Sequence, residues 1–173
     1  MTLEEILLIE PFHWKAIATT LFCGLIVGFE RQLRGKPVGI RTSALITLGT
    51  YVFLTCSNFI GNEHSDPSRV IGQVVTGIGF LGAGVMLARD GAVVGVTSAA
   101  TIWVLASIGV VVSIGALESA IKIALVTVFI LYGIEFLEAH TKTFSRGVHA
   151  RYKDFSNKES TIKDISNKEP PQT

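Results

Sequence analysis

Five long apolar stretches, separated by short polar segments, dominate the hydropathy pattern of this chain of 173 residues. They cover residues 12–29, 42–60, 70–88, 94–114 and 117–139. Each has about the 17–25 residues that a helix needs to cross the hydrocarbon core of a bilayer. The pattern therefore predicts an all-α membrane protein, a bundle of about five transmembrane helices.

Glycine distinguishes the third stretch, which is uncharged from residue 70 to residue 88. Its five glycines are Gly72, Gly77, Gly79, Gly82 and Gly84. In a water-exposed helix each would cost about 0.5–1 kcal/mol relative to alanine, whereas in lipid small residues let neighbouring backbones approach closely. We therefore expect this stretch to be the central packing helix of the bundle.

A second small-residue pattern suggests which helix the third one contacts. Gly24 and Gly28 form a GxxxG pair in the first stretch. In the third, one helical face carries Gly72, Thr76, Gly79 and Ala83. Because small residues at such spacing favour close helix pairs in membranes, the sequence predicts contact between the first and third helices.

Residues 77–82 also match GxGxxG, the dinucleotide-binding pattern. That pattern is informative only between a strand and a helix, with an acidic residue about 20 positions later. Here it lies inside an apolar run, so helix packing is the better interpretation.

Charge composition and placement support a membrane protein and suggest its orientation. Only 17% of the residues are charged, against about 25% in soluble domains. Basic residues concentrate in residues 31–41, after the first stretch, and in residues 142–153, after the fifth. Because cytoplasmic loops are rich in Lys and Arg, we expect an outside N-terminus and a cytoplasmic C-terminus.

This orientation divides the chain into three parts. Residues 1–11 form a short extracytoplasmic segment, residues 12–139 the transmembrane domain, and residues 140–173 a polar cytoplasmic tail. The tail contains two near-copies of a six-residue sequence, at residues 154–159 and 164–169. Two copies with so few apolar residues cannot bury a core, so we expect a flexible extension.

Residues suited to catalysis or metal binding are sparse. Cys23 and Cys56 each lie alone in an apolar run, which favours a packing role. Glu135 and Glu138 share a helical face, but Mg²⁺ sites usually need more oxygen ligands than two. We therefore expect no enzymatic activity, catalytic residue, cofactor, metal site or nucleic-acid partner, and a solvated helix end at these two glutamates.

Polar residues cluster instead near the ends of the apolar stretches. Glu30 and Arg34 stand four apart, so they can pair on one helical face. The pair is either an interfacial anchor or an ionisable gate at the membrane edge. Likewise, Gln73, Thr97 and Ser98 either hydrogen-bond between helices or line a small hydrophilic site.

Four short motifs in order resemble the MgtC/SapB family of bacterial inner-membrane proteins. They are GFER at residues 28–31, GIRT at 39–42, Gln73 with TGIGFLGAG at 76–84, and TSAATIW at 97–103. The resemblance covers residues 12–139 and implies a multi-pass protein of the inner membrane. With Arg34 and Ser98 added, the motifs predict a functional polar cluster at the cytoplasmic face, with Gln73 nearer the outer side: Glu30, Arg31, Arg34, Arg41, Thr42, Gln73, Thr97 and Ser98.

Function follows less directly from this resemblance. Family members are linked to growth in low Mg²⁺ and to survival inside host cells. The resemblance implies a non-enzymatic regulator of Mg²⁺, cation or proton homeostasis that contacts another membrane protein, with the F-type ATP synthase as one candidate, or self-associates. The alternative is a small oligomeric Mg²⁺ or proton transporter or channel. The best-known members also carry a cytoplasmic ACT-type domain after the last span. Only the polar tail occupies that place here, so that domain's functions are not carried over.

Overall fold

A computed structural model describes residues 9–61, 66–89 and 92–140, without the side chains of residues 67, 89, 92 and 135–140. Most of the predicted N-terminal segment and nearly all of the predicted tail lie outside these residues. The described elements are α1 (Trp14–Leu33), α2 (Ile40–Ile60), α3 (Pro67–Val85), β1 (Leu87–Arg89), β2 (Ala92–Val94), α4 (Val96–Ser113) and α5 (Leu117–His140).

All five described helices are long and apolar enough to cross a membrane, which confirms the predicted fold class. Their bounds lie within four residues of the five apolar stretches. The largest difference is at the end of α1, which continues to Leu33, and α3 begins and ends three residues early. Asp66 explains the early start of α3, because its carboxylate accepts a hydrogen bond from the Ser68 amide at 2.9 Å and caps the helix. The predicted orientation across the membrane stays a prediction.

A short hairpin between α3 and α4 was not predicted. β1 pairs antiparallel with β2, with Leu87 opposite Val94 and Arg89 opposite Ala92. Gly95, the residue before α4, has a φ of +93°, and a Cβ at this position would collide with the Val85 carbonyl. Only glycine fits both the left-handed backbone and this close approach.

The fourth helix, rather than the third, is central to the bundle. α4 contacts all four other helices, whereas α3 packs mainly on α4 and only lightly on α2. Only 6% of Ser68–Val85 is buried, against 44% of Val96–Ser113. The prediction that the glycine-rich stretch is the central packing helix is therefore wrong.

The predicted contact between the first and third helices is also wrong. Gly24 and Gly28 face α2, where an added Cβ would lie 2.7 Å from the Ala44 Cα atom and 2.6 Å from the Ile40 Cα atom, respectively. Across the same interface, Thr47 Oγ1 donates a hydrogen bond to the Thr20 carbonyl at 2.9 Å. The GxxxG pair therefore packs α1 against α2, the next helix in sequence.

The glycines of the third helix contribute little to packing within one chain. A Cβ on Gly82 would reach the Ala99 side chain of α4 at 3.6 Å, an ordinary contact. No described atom lies within 4 Å of a Cβ added at the other four, Gly72, Gly77, Gly79 and Gly84. The packing role predicted for these four is therefore wrong within the chain, since they lie on the exposed surface of α3.

Candidate functional site

Two charged residues at the end of α1 are buried, which is rare for charged side chains. Glu30 is 7% exposed and Arg31 is 3% exposed. They lie in the last turn of a helix whose middle is apolar, so the helix carries them into the end of the bundle. The structure thus places polar groups at the position that the sequence indicated.

Glu30 forms the predicted ion pair with Arg34. The Glu30 Oε1 and Arg34 Nε atoms are 2.6 Å apart, four residues along the same helix. The contact lacks the alignment of a hydrogen bond, and the Glu30 Oε2 atom has no hydrogen-bond donor among the described residues. The carboxylate therefore keeps an oxygen that can accept a proton, or a hydrogen bond from a ligand.

Arg31 connects α1 to the central helix. Its Nη2 atom donates a hydrogen bond of 2.7 Å to the Ser98 hydroxyl, 67 residues away in sequence. Ser98 is 2% exposed and lies in the first turn of α4. Because the donor is charged and the pair is buried, this bond is stronger than one between neutral groups.

Arg34 extends the cluster to the fifth helix. Its guanidinium carbon lies 5.0 Å from the centre of the Tyr132 ring, within the distance at which a cation and an aromatic face attract each other. Tyr132 was not predicted, since a single tyrosine near the end of an apolar stretch gives no signal beyond an interfacial anchor. The cluster of Glu30, Arg31, Arg34, Ser98 and Tyr132 therefore joins α1, α4 and α5, and we call it the polar joint.

The structure does not bring the remaining predicted residues into this joint. The side chains of Arg41, Thr42, Gln73 and Thr97 are exposed, and Arg41 makes no ion pair within the described part of the chain. The predicted cluster of eight residues is divided. Glu30, Arg31 and Ser98 are buried and Arg34 is partly buried in the joint, whereas the other four lie outside it.

Two of the outlying residues share another feature. Thr42 and Gln73 line a groove of about 630 Å³ between α2 and α3. The groove is mostly apolar, and Gly49 and Gly77 lie on its walls. Gln73 makes no side-chain hydrogen bond to the described residues, so its amide remains available to an outside partner.

No group of three or more potential metal ligands occurs among the described residues. The side chains of Glu135 and Glu138, the pair considered for a divalent cation, lie outside them. Their helix, α5, continues to His140.

Comparison with known proteins places these features in a family. The profile of the MgtC family matches residues 17–140. The chain is 43% identical over 127 residues to YhiD of Escherichia coli (strain K12), covering 69% of this chain and 59% of that protein.

Two further relatives carry the name MgtC. Identity is 39% over 125 residues with MgtC of Brucella abortus (strain 2308), across 68% of this chain and 51% of the relative. Identity is 37% over 124 residues with MgtC of Salmonella typhimurium (strain LT2), across 72% of this chain and 52% of that relative. The chain thus spans between half and three-fifths of the length of these relatives. No solved structure matches it.

Proposed function

Because the chain belongs to the MgtC family, we propose that it is a bacterial inner-membrane regulator that influences cation homeostasis by contacting another membrane protein. The multi-pass bundle of five apolar helices is the framework for this role. The polar joint is the part of that framework through which contact with the partner changes the position of the helices.

The observation that carries this proposal is the contrast between the middle and the end of the bundle. Apolar side chains fill most of the middle, where Val27, Leu105 and Ile108 are fully buried and Ile102 is 2% exposed. The buried threonines there, Thr20 and Thr47, are uncharged and donate hydrogen bonds to backbone carbonyls. The charged groups Glu30, Arg31 and Arg34 gather at one end. Such an arrangement suits a protein that responds at one membrane face better than one that passes ions through its own interior.

The joint also explains how a contact at the surface can act on the helices. Arg34 is 21% exposed at its side chain, whereas its partner Glu30 is 8% exposed. A partner that draws Arg34 away leaves the Glu30 carboxylate buried without its cation, which is unfavourable. The end of α1 must then shift relative to α4 and α5, which couples the contact to helix position.

Ion flux into liposomes tests this function most directly. The purified protein is reconstituted with a Mg²⁺-sensitive dye and a pH-sensitive dye inside, and a membrane potential is imposed. We expect no flux above that of empty liposomes, and loss of function in low-Mg²⁺ growth complementation for Glu30→Ala. Flux that disappears in Glu30→Ala would show a transporter instead.

A matched pair of variants tests whether the joint is the part that matters. Arg31→Lys keeps the positive charge but replaces the guanidinium that donates the hydrogen bond to Ser98. The control, Lys36→Gln, changes an exposed basic residue in the following loop. We expect the first to weaken complementation and co-purification with the membrane partner, and the second to preserve both. Equal effects would remove the joint from the mechanism.

The alternative is an oligomeric transporter, and one observation favours it. The groove between α2 and α3 is lined by Thr42 and by Gln73, whose amide makes no side-chain hydrogen bond to the described residues. Several copies could build a polar path from such surfaces. YhiD is named as a candidate magnesium transporter. Under this alternative, Gln73→Leu abolishes flux while the monomer still folds.

A further inference from the structure

A second cavity lies at the opposite end of the bundle from the polar joint. It measures about 490 Å³ and is bounded by the start of α1, the end of α2, the end of α4 and the start of α5. Lys15, in the first turn of α1, lines it, whereas Glu30 lies in the last turn of the same helix. A site here is separate from the function proposed above and does not depend on it.

Cationic and potentially cationic side chains stand at the edge of this cavity. His13 and Lys15 both line it, and both side chains are exposed. Neither makes an ion pair within the described residues. The nearest acidic residue on α5, Glu118, is paired with Lys122 at 3.6 Å, and Glu10 is exposed. The lysine charge is therefore available to a bound anion.

Hydrogen-bond donors continue into the cavity wall. The Thr55 hydroxyl is buried and has no hydrogen-bond partner among the described residues, which is unusual for a buried polar group. The Tyr51 phenol oxygen accepts a hydrogen bond from the His13 amide at 3.2 Å, and its own hydroxyl proton has no acceptor among the described residues. The Asn58 amide also lines the cavity.

The side chains that line the cavity favour an anionic ligand. No carboxylate is among the residues that line the cavity, while the ammonium of Lys15 repels a metal cation. A group with several acceptor oxygens and a negative charge matches the charge of Lys15 and the hydroxyl donors of Thr55 and Tyr51. Phosphate carries a negative charge and enough acceptor oxygens to receive a hydrogen bond from each of these three donors.

The rest of the cavity is apolar and lies at the helix ends. Ala16, Val112 and Leu117 form part of its wall, and the Phe59 ring stands at its edge. An apolar body attached to the phosphate would contact these side chains. We propose that this cavity binds the phosphate group of an organic phosphate ester. The source of the phosphate is an anionic phospholipid headgroup or a soluble phosphate ester.

The test measures binding to purified, delipidated protein in a mild detergent. In the first arm, native mass spectrometry compares short-chain phosphatidylglycerol with a diacylglycerol of the same chains. In the second, isothermal titration calorimetry uses glycerol 3-phosphate and inorganic phosphate. Binding in the first arm alone identifies the lipid headgroup, and binding in the second identifies a soluble ester.

Three variants separate this site from nonspecific attraction. Lys15→Gln should lower the affinity about tenfold, as expected for the loss of one hydrogen bond to a charged group. Thr55→Val conserves shape and removes the buried hydroxyl, so it should weaken binding while the thermal midpoint is kept or raised. Lys122→Gln, a lysine near the same end that is already paired, should bind like wild type.

Two results would overturn the proposal. One is the absence of binding in both arms by protein whose circular dichroism and gel-filtration profile are those of a folded bundle. The other is equal binding by wild type, Lys15→Gln and Thr55→Val, which would place the phosphate elsewhere on the surface. Neither result bears on the polar joint, whose tests use different variants and readouts.

Discussion

Replacing Gly28 with alanine tests the packing of α1 on α2. The added Cβ would lie 2.6 Å from the Ile40 Cα atom and 2.9 Å from the Ser43 Cβ and Oγ atoms. Ordinary contact begins at 3.4 Å, and the Ile40 atom belongs to the backbone, so the helices must separate by about 0.8 Å. Overpacking of this kind costs about 1–3 kcal/mol in the free energy of unfolding.

The matched control is Gly79→Ala on the exposed surface of α3, where the added Cβ would have no neighbouring helix within 4 Å in the part of the chain that the structure describes. Alanine favours a helix over glycine, so this variant should be neutral or slightly stabilised. The two variants make the same chemical change, and they differ only in what surrounds the new methyl group.

Thermal unfolding in detergent can be followed through Cys23, which is fully buried beside Gly24. In a Cys56→Ser background, a thiol-reactive dye reports the temperature at which Cys23 becomes accessible. One kcal/mol shifts the midpoint by about 2–4 °C in a chain of this size, so Gly28→Ala should lower it by about 2–12 °C. A wild-type midpoint for Gly28→Ala, or an equal loss for Gly79→Ala, would refute the packing described here.

Three further predictions concern the polar joint, the α1–α2 interface and the start of α3. Arg34→Gln leaves the Glu30 carboxylate buried without its cation and should lower the free energy of unfolding by up to about 3 kcal/mol. In the same thiol assay, the double variant with Glu30→Gln should recover most of this loss. An additive loss would contradict the pairing. Thr47→Val removes the hydrogen bond to the α1 backbone and should cost about 0.6 kcal/mol by the same measurement, so an unchanged midpoint would count against that bond. Hydrogen bonds from Ser68 lower the pKa of Asp66, so its cap is present above the ordinary carboxyl pKa and is lost as the pH falls through the lowered value. Protection of the first α3 amides from hydrogen exchange should then decrease at acidic pH in wild type but stay constant in Asp66→Asn, and a pH-independent wild type would exclude this role.

The sequence alone determined the number and approximate position of the membrane helices. Hydropathy and length are local properties, and five apolar stretches of about 20 residues leave few other arrangements in a bilayer. The Glu30–Arg34 pair was also predictable, because residues four apart on one helix always share a face. The motifs at residues 28–31 and 97–103, rather than helical spacing, identified Arg31 and Ser98 as members of a polar cluster.

Tertiary structure decided which helices meet. The spacing of Gly24 and Gly28 predicts a close contact but does not name the partner, and α2 rather than α3 occupies that surface. Likewise, five glycines mark α3 as unusual but cannot show that four of them face outward. In a membrane every helix is apolar, so hydropathy does not rank one helix as more central than another.

The cavity at the opposite end shows the same division. His13, Lys15, Tyr51 and Thr55 are scattered through two helices and the segment before them, and none forms a motif with another. Only the antiparallel packing of α1 and α2 brings the start of one to the end of the other. The sequence set the chemistry of each helix end, and the three-dimensional arrangement decided which ends face one another, because contacts between distant residues depend on packing rather than on local pattern.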